Sequence, residues 1–448
     1  GTWPPDQRAG LCAAGTHDEP HRRIVSRKKE VTCGDAAVTN PAAMDLTSTY
    51  IRAVKSLEQI DIAVLVNNII LDAVQQKASD IHIEPWESTV PIRLRTSGIL
   101  RELTHLPHEF LDRIAGRLKV MADLITYETE LPQEGRAPAS PDFGNVELRV
   151  SIFPTVRGEK IVVRLFDPEN RSFDLETLGF ESDTIESFKK LIRQPSGLIL
   201  LNGPTGSGKT TAIYSALCHL IDAHGPTISI STVEDPVEFN LPMISQSQIS
   251  NSRGFTYPKA LRSLMRQDPE AIMIGEIRDP ETAAIAVQAG LTGHMVISTI
   301  HSDSTAGVYA RLINMDIEPF LLASSITGVL GLRLLRTICT HCKTEDQPNP
   351  EHLTLLPEGF VKETTFYTGS GCDNCSQTGY HGRVAVTELL NSNEPLREGV
   401  IQKLRTSKLL DIAIERGMIT LWQNAMAKVQ RGITSLEEVI RVITVNQL

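Results

Sequence analysis

The stretch GPTGSGKT, residues 203–210, limits what this chain can fold into more than any other part of it. It fits G-x-x-x-x-G-K-[ST] without a mismatch, and that pattern works only between a strand and a helix. Gly203, Gly206 and Gly208, with Pro204, Thr205 and Ser207 between them, form a loop whose backbone N–H groups close round phosphates. The N-terminus of the following helix adds its dipole. The flanks meet the demand: LILL precedes the loop, and TAIYSALCHLI follows it with helical spacing. Lys209 is expected to reach the β- and γ-phosphates and the Thr210 hydroxyl to sit on Mg²⁺, with Thr211 next in the cradle. The expected ligand is a nucleoside triphosphate.

The grammar around this loop is that of an α/β domain. SGLILLNG, TISISTVED, AIMIGEIRD and HMVISTIHS are apolar strands alternating with helices, which predicts a parallel sheet covered on both faces. Upstream, residues 60–76 have apolar residues at helical spacing. The runs IHIEP, VPIRLRTSGIL, VELRVSIFP and KIVVRLFD then predict strands of a mostly antiparallel sheet, interrupted by a helix over about 109–121. The expected domains are an α+β unit over 45–166, a linker over 167–178 and an ATPase core over 179–336. A cysteine-bearing insert over 337–385 and a helical region over 386–448 follow. Residues 1–44 show no hydrophobic period and are expected to be a disordered or mis-started N-terminus.

Composition narrows the function. A net charge of -10 over 448 residues gives no basic field for nucleic acid. The uncharged run 282–302 contains Gln288, Gly290, Gly293 and His294, so it predicts buried helix, turn and strand rather than a membrane span. Residues 320–332 are too short for one. No basic start precedes an apolar block, so no signal peptide and a cytoplasmic location are expected. Cys339-x-x-Cys342 and Cys372-x-x-Cys375, 29 residues apart, match a four-thiolate structural Zn²⁺ site better than a redox pair.

Other candidates surround the loop. Glu276 ends the apolar strand AIMIGEIRD and is expected to hold water around Mg²⁺. STVEDPVEF presents Glu234, Asp235 and Glu238 where a parallel sheet has its ligand crevice; Glu234 could polarise the attacking water. His294 and His301 flank a buried strand seven residues apart, and a histidine near a γ-phosphate loses a hydrogen bond on hydrolysis. Arg136, Arg149 and Arg164 lie in or beside strands of the first domain, and arginine stabilises a transferring phosphoryl group, often from another domain or subunit.

Taken in order, KASDIHIEP, GPTGSGKTT, STVEDPVEF, LMRQDPEAIMIGEIRD, LTGHMVISTIHS, the paired Cys-x-x-Cys and GITSLEEVIRV resemble the type II secretion and type IV pilus assembly ATPases, the GspE/PilB family. The resemblance spans about residues 63–443. It implies a RecA-like P-loop domain preceded by a PAS-like α+β domain and assembled as a homohexamer peripheral to the inner membrane. ATP turnover there would drive a membrane platform protein that extrudes pilin or pseudopilin. It also implies that Glu234 activates water, that Glu276 supports Mg²⁺, and that Arg136, Arg149 and Arg164 approach the γ-phosphate. His294 and His301 fall in the family's histidine box.

The chain departs from the family at Arg95-Thr96-Ser97-Gly98, usually Arg-x-Asp-Gly, and at APASPDFGN, where a basic strand is usual. A further N-terminal docking domain is also missing from the pattern. A retraction motor is the main alternative, and its relatives lack the four-cysteine insert. A nucleic-acid translocase would need a basic stripe, and an inactive assembly module would not need the intact lysine and carboxylates.

Overall fold

The computed structural model describes residues 45–443 apart from 55, 57, 58, 97, 167–172, 251 and 252. The expectation for residues 1–44 and the first half of the expected linker lie outside the described residues. In the first domain, α1 (Leu46–Ala53), α2 (Ile62–Gln75) and α3 (Leu111–Met121) accompany six strands. These are β1 (Ala78–Ile83), β2 (Thr89–Thr96), β3 (Ile99–Pro107), β4 (Gln133–Ala137), β5 (Glu147–Thr155) and β6 (Gly158–Phe166). They form one antiparallel sheet in the order β3-β2-β1-β6-β5-β4.

Alternation decides which face is buried. Ile81 and Ile83, Ile92 and Leu94, Val150 and Ile152, and Ile161 and Val163 join α2 and α3 in one core. The intervening side chains, largely charged, occupy the other face. Asp72, buried on α2, accepts the N–H groups of Leu46 and Thr47, both at 2.8 Å, and so pins α1 to α2. The run VPIRLRTSGIL, expected as one strand, is instead split between β2 and β3. Gly98 adopts φ +84°, a left-handed conformation that turns the chain back.

The second domain carries a seven-stranded sheet. Its parallel members are β7 (Gly197–Asn202), β8 (Ile230–Glu234), β9 (Ser245–Gln248), β10 (Ala271–Ile274) and β11 (Met295–Ile300). On one face lie α4 (Ser182–Ile192) and α5 (Lys209–His224); on the other, α6 (Tyr257–Leu264), α7 (Pro280–Leu291), α8 (Gly307–Ile313) and α9 (Pro319–Ser325). Strand β7 shows why its run is unbroken. Leu198 and Leu200 enter the core on the α6–α9 side, while Ile199 and Leu201 enter the core under α4 and α5. Two long strands complete the sheet: β12 (Ile326–Ile338), parallel to β7, and β15 (Tyr380–Asn391), antiparallel to β12. The order is β15-β12-β7-β11-β10-β8-β9.

The cysteine segment hangs between the ends of β12 and β15. It contains a small antiparallel pair, β13 (Lys343–Glu345) and β14 (Tyr367–Gly369), and the short helices α10 (Pro350–Leu353) and α11 (Glu358–Glu363). The chain closes with α12 (Glu394–Ile401), α13 (Thr406–Glu415), α14 (Leu421–Gln430) and α15 (Leu436–Val442). Buried Glu438 fastens α15 to β12 by accepting from the Arg336 guanidinium at 2.7 and 2.9 Å. Among the described residues no helix is long and apolar enough to cross a membrane. The apolar run 320–332 divides into the end of α9 and the start of β12.

Candidate nucleotide and metal sites

The loop between β7 and α5 has the geometry its glycines predict. Gly206 and Gly208 adopt φ +77° and +94°. A Cβ on Gly203 would lie 2.6 Å from both the Leu332 carbonyl and Ser207 Oγ. Ser207 Oγ is itself buried without a hydrogen-bond partner among the described residues. Lys209 Nζ donates to the carbonyls of Gly203 at 2.7 Å and Pro204 at 3.0 Å. Burial pushes this ammonium down to about 8, with nearby Glu276 acting upward and Arg333 further down.

A bound phosphate favours the ammonium form, so binding takes up a proton wherever the free Lys209 is neutral. Affinity is then full below pH 8 and lost as pH rises past it. Titration with a fluorescent ATP analogue is expected to give a Kd roughly tenfold weaker at pH 9 than at pH 7. A pH-independent Kd would contradict the assignment of Lys209.

Glu276 follows the end of β10, half-buried, paired with Arg278 and 3.9 Å from His301 Nε2. The structure therefore brings Lys209, Glu276 and His301 to the carboxyl end of the sheet. It does not bring His294 there. That residue precedes β11 at the opposite end of the strand, with Nδ1 3.2 Å from the Ala289 carbonyl and 3.4 Å from Thr292 Oγ1. Six residues of extended chain between the two histidines amount to about 20 Å.

Glu234 ends β8 and is buried. Its carboxylate accepts three side-chain donors: Tyr214 Oη and Thr232 Oγ1, each at 2.5 Å, and Gln246 Nε2 at 3.1 Å. Glu238, four residues on, forms an ion pair with Arg149 Nη1 at 3.0 Å.

The three candidate arginines form one cross-strand row. Register pairs Arg136 with Arg149, Arg149 with Arg164, Arg164 with Asp80 and Asp80 with Arg95. Arg149 Nη2 donates to the Val237 carbonyl at 2.6 Å and its guanidinium stacks on Phe166 at 4.3 Å. Arg136 donates to the Val237 carbonyl at 3.4 Å and to Gln248 Oε1, on β9, at 3.1 Å. Arg164 Nε instead donates to Asp80 at 3.0 Å. Two of the three thus lean on the acidic loop of the second domain, and the third is held within its own sheet.

Sequence reasoning missed a cavity of about 600 Å³ beside the start of α5. Ser207, Gly208 and Thr211 line it together with Leu334, Arg336 and Arg383 of the sheet and Lys77 and Arg101 of the first domain. Its basic lining suits an anionic ligand that continues from the phosphate loop. It also missed Arg333, whose Nη1 lies 3.3 Å from where a Gly203 Cβ would sit. No motif flagged either, because their members come from distant segments.

The four cysteines converge with free thiols. Sulfur separations are 3.8 Å for Cys339–Cys372, 3.8 Å for Cys342–Cys375 and 3.7 Å for Cys372–Cys375. Thiolates about 2.3 Å from a tetrahedral zinc would be about 3.8 Å apart, so the set fits such an ion. Burial pushes the Cys375 thiol up, but the N–H groups of Cys372 and Gly379 and the adjacent thiols outweigh it and bring it down to about 6.

The profile of the family described as "Type II/IV secretion system protein" matches residues 55–441. The chain is 41% identical to the type IV pilus assembly ATPase PilB of Myxococcus xanthus, over 91% of this chain and 72% of that one. It is 40% identical to the type II secretion system ATPase E of Vibrio cholerae, over 87% and 76%. Against the type IV pilus assembly ATPase PilB of Thermus thermophilus, 42% identical, it spans 42% of the relative's length. The fold is similar to that of the ATPase DotB of Legionella pneumophila, with TM-score 0.63 and 20% identity over 86% and 96% of the two chains. The chain belongs to the type II/IV secretion system protein family and is an ATPase of that family.

Proposed function

We propose that this chain is a ring-forming motor, a cytoplasmic homohexamer peripheral to the inner membrane, whose ATP hydrolysis drives a platform protein that assembles pilin or pseudopilin. Lys209 and the loop from Gly203 to Thr211 would bind the phosphates. Thr210 and Glu276 would hold Mg²⁺ through hydroxyl and water; the ion, when bound, neutralises phosphate charge. Glu234 orients water for attack on the γ-phosphorus, and ADP and phosphate leave. Cys339, Cys342, Cys372 and Cys375 would hold zinc, which would supply a cross-link between the ends of β12 and β15. His301, 3.9 Å from Glu276, would respond to the γ-phosphate, and His294 would serve elsewhere.

The observation that carries this reading is the arginine row of the first domain meeting the acidic loop of the second through Arg136 and Arg149. A γ-phosphate competing for those guanidinium groups would change the domain contact, and its loss on hydrolysis would reverse the change. Per-subunit ATP hydrolysis measured against protein concentration tests it, with Glu234→Gln as the blank. The rate is expected to climb steeply with concentration, as sites completed by neighbouring subunits require. A flat rate would remove the ring from the mechanism.

A further inference from the structure

Tyr214 belongs to no motif and has no role in the mechanism above, yet it touches both ends of the acidic loop. It lies on α5, one and a half turns after Lys209, and is fully buried. Its hydroxyl donates to Glu234 Oε2 at 2.5 Å and accepts from the Glu238 N–H at 3.2 Å. Burial and Glu234 both push the phenol well above its ordinary value, so the hydroxyl remains a donor. Glu238 is the residue that Arg149 grips from the first domain.

We propose that Tyr214 is a positioning residue that fixes the Glu234 carboxylate and couples it to the arginine-bearing domain; this rests on Glu234 acting on the attacking water. A carboxylate offers about four acceptor sites, and three donors leave one for water. Those donors set the direction of the Glu234 carboxylate. Motion of Arg149 pulls Glu238, and the shared phenolic oxygen passes that pull to Glu234 and to the phosphate-loop helix. The other groups facing this loop are Asp235 and Glu238 from the loop itself and Tyr257 from α6, which lies in the field of Asp235, Glu276 and Glu234.

Tyr214→Phe tests this, because phenylalanine keeps the edge contacts to Phe173 and Phe239 and removes only the hydroxyl. Turnover is expected to fall roughly 10- to 100-fold with the Kd for an ATP analogue unchanged. The loss is expected in kcat alone, because the hydroxyl acts on the direction of the Glu234 carboxylate and touches no nucleotide-binding group. Thr232→Val, which removes another donor from Glu234 without touching Glu238, should also lower turnover with the Kd unchanged. Wild-type turnover in Tyr214→Phe would overturn the proposal. So would a parallel loss of turnover, nucleotide affinity and melting temperature, which marks a packing role alone. Glu234→Gln separates the premises: if it stays active, the reading of Glu234 fails; if it is inactive while Tyr214→Phe is normal, only the role of Tyr214 does.

Discussion

Replacing Lys209 with alanine is expected to reduce ATP hydrolysis at least ~10³-fold, the scale lost when a cation that stabilises a transferring phosphoryl group is removed. The physical reason lies in where the ammonium sits. It is drawn into the loop by the carbonyls of Gly203 and Pro204, and burial makes its charge costly until a phosphate arrives. Arg333 stands nearby but on β12, with its Nη1 committed to the Leu332 carbonyl at 2.9 Å, so it cannot take over the position. Lys209→Arg should fail almost as badly, because a planar fork does not fit where a compact ammonium bridges two carbonyls. A phosphate-release assay on both variants decides the matter. Retention of a tenth or more of wild-type activity by Lys209→Ala would displace the phosphate loop from the centre of the account.

Cys342→Ser should have the second largest effect, on the metal centre. Cys342 is buried and sits 3.8 Å from Cys375, so a serine leaves an open tetrahedron with a harder, weaker ligand. Structural zinc contributes on the order of 10 kcal/mol to the folding of the unit that holds it. Elemental analysis is expected to give about one zinc per wild-type chain and a small fraction of that in the variant. The melting temperature should drop by at least ~5 °C, with new proteolytic cuts between residues 343 and 379. Full metal content and unchanged cuts in the variant would show that the four thiols do not form one centre.

Much of the fold was legible because local chemistry and global arrangement agree. The P-loop declares strand, turn and helix within a dozen residues, and the unbroken run LILL declares a strand buried on both faces. The two Cys-x-x-Cys turns announced their convergence, because each pair already places two sulfurs on one side of a turn. Other elements were hidden for identifiable reasons. Strand β4, QEGRA, has one buried residue and lies at a sheet edge, so it carries no alternation. The run 320–332 is apolar throughout, and an unbroken apolar run does not distinguish the end of α9 from the start of β12.

The site divides along the same line. Lys209 opens the helix that follows one strand the sequence marks, and Glu276 lies just past the end of another. The arginines were visible as residues, but their alignment in one row depends on strand register, which pairs residues from β4 to β2. Tyr214 was invisible for a different reason: within an apolar helix it is indistinguishable from packing, and only the Glu234 carboxylate beside it gives its hydroxyl a purpose.

The central claim is that the γ-phosphate changes how the arginine-bearing domain meets the acidic loop. It is tested most directly by spin labels, attached without cysteine chemistry, at exposed Glu134 on β4 and exposed Asn240 beyond Glu238. The account predicts one distance distribution with a non-hydrolysable ATP analogue and a different one with ADP, and loss of that difference in Arg149→Ala. Identical distributions with both nucleotides, at saturating binding, would contradict it.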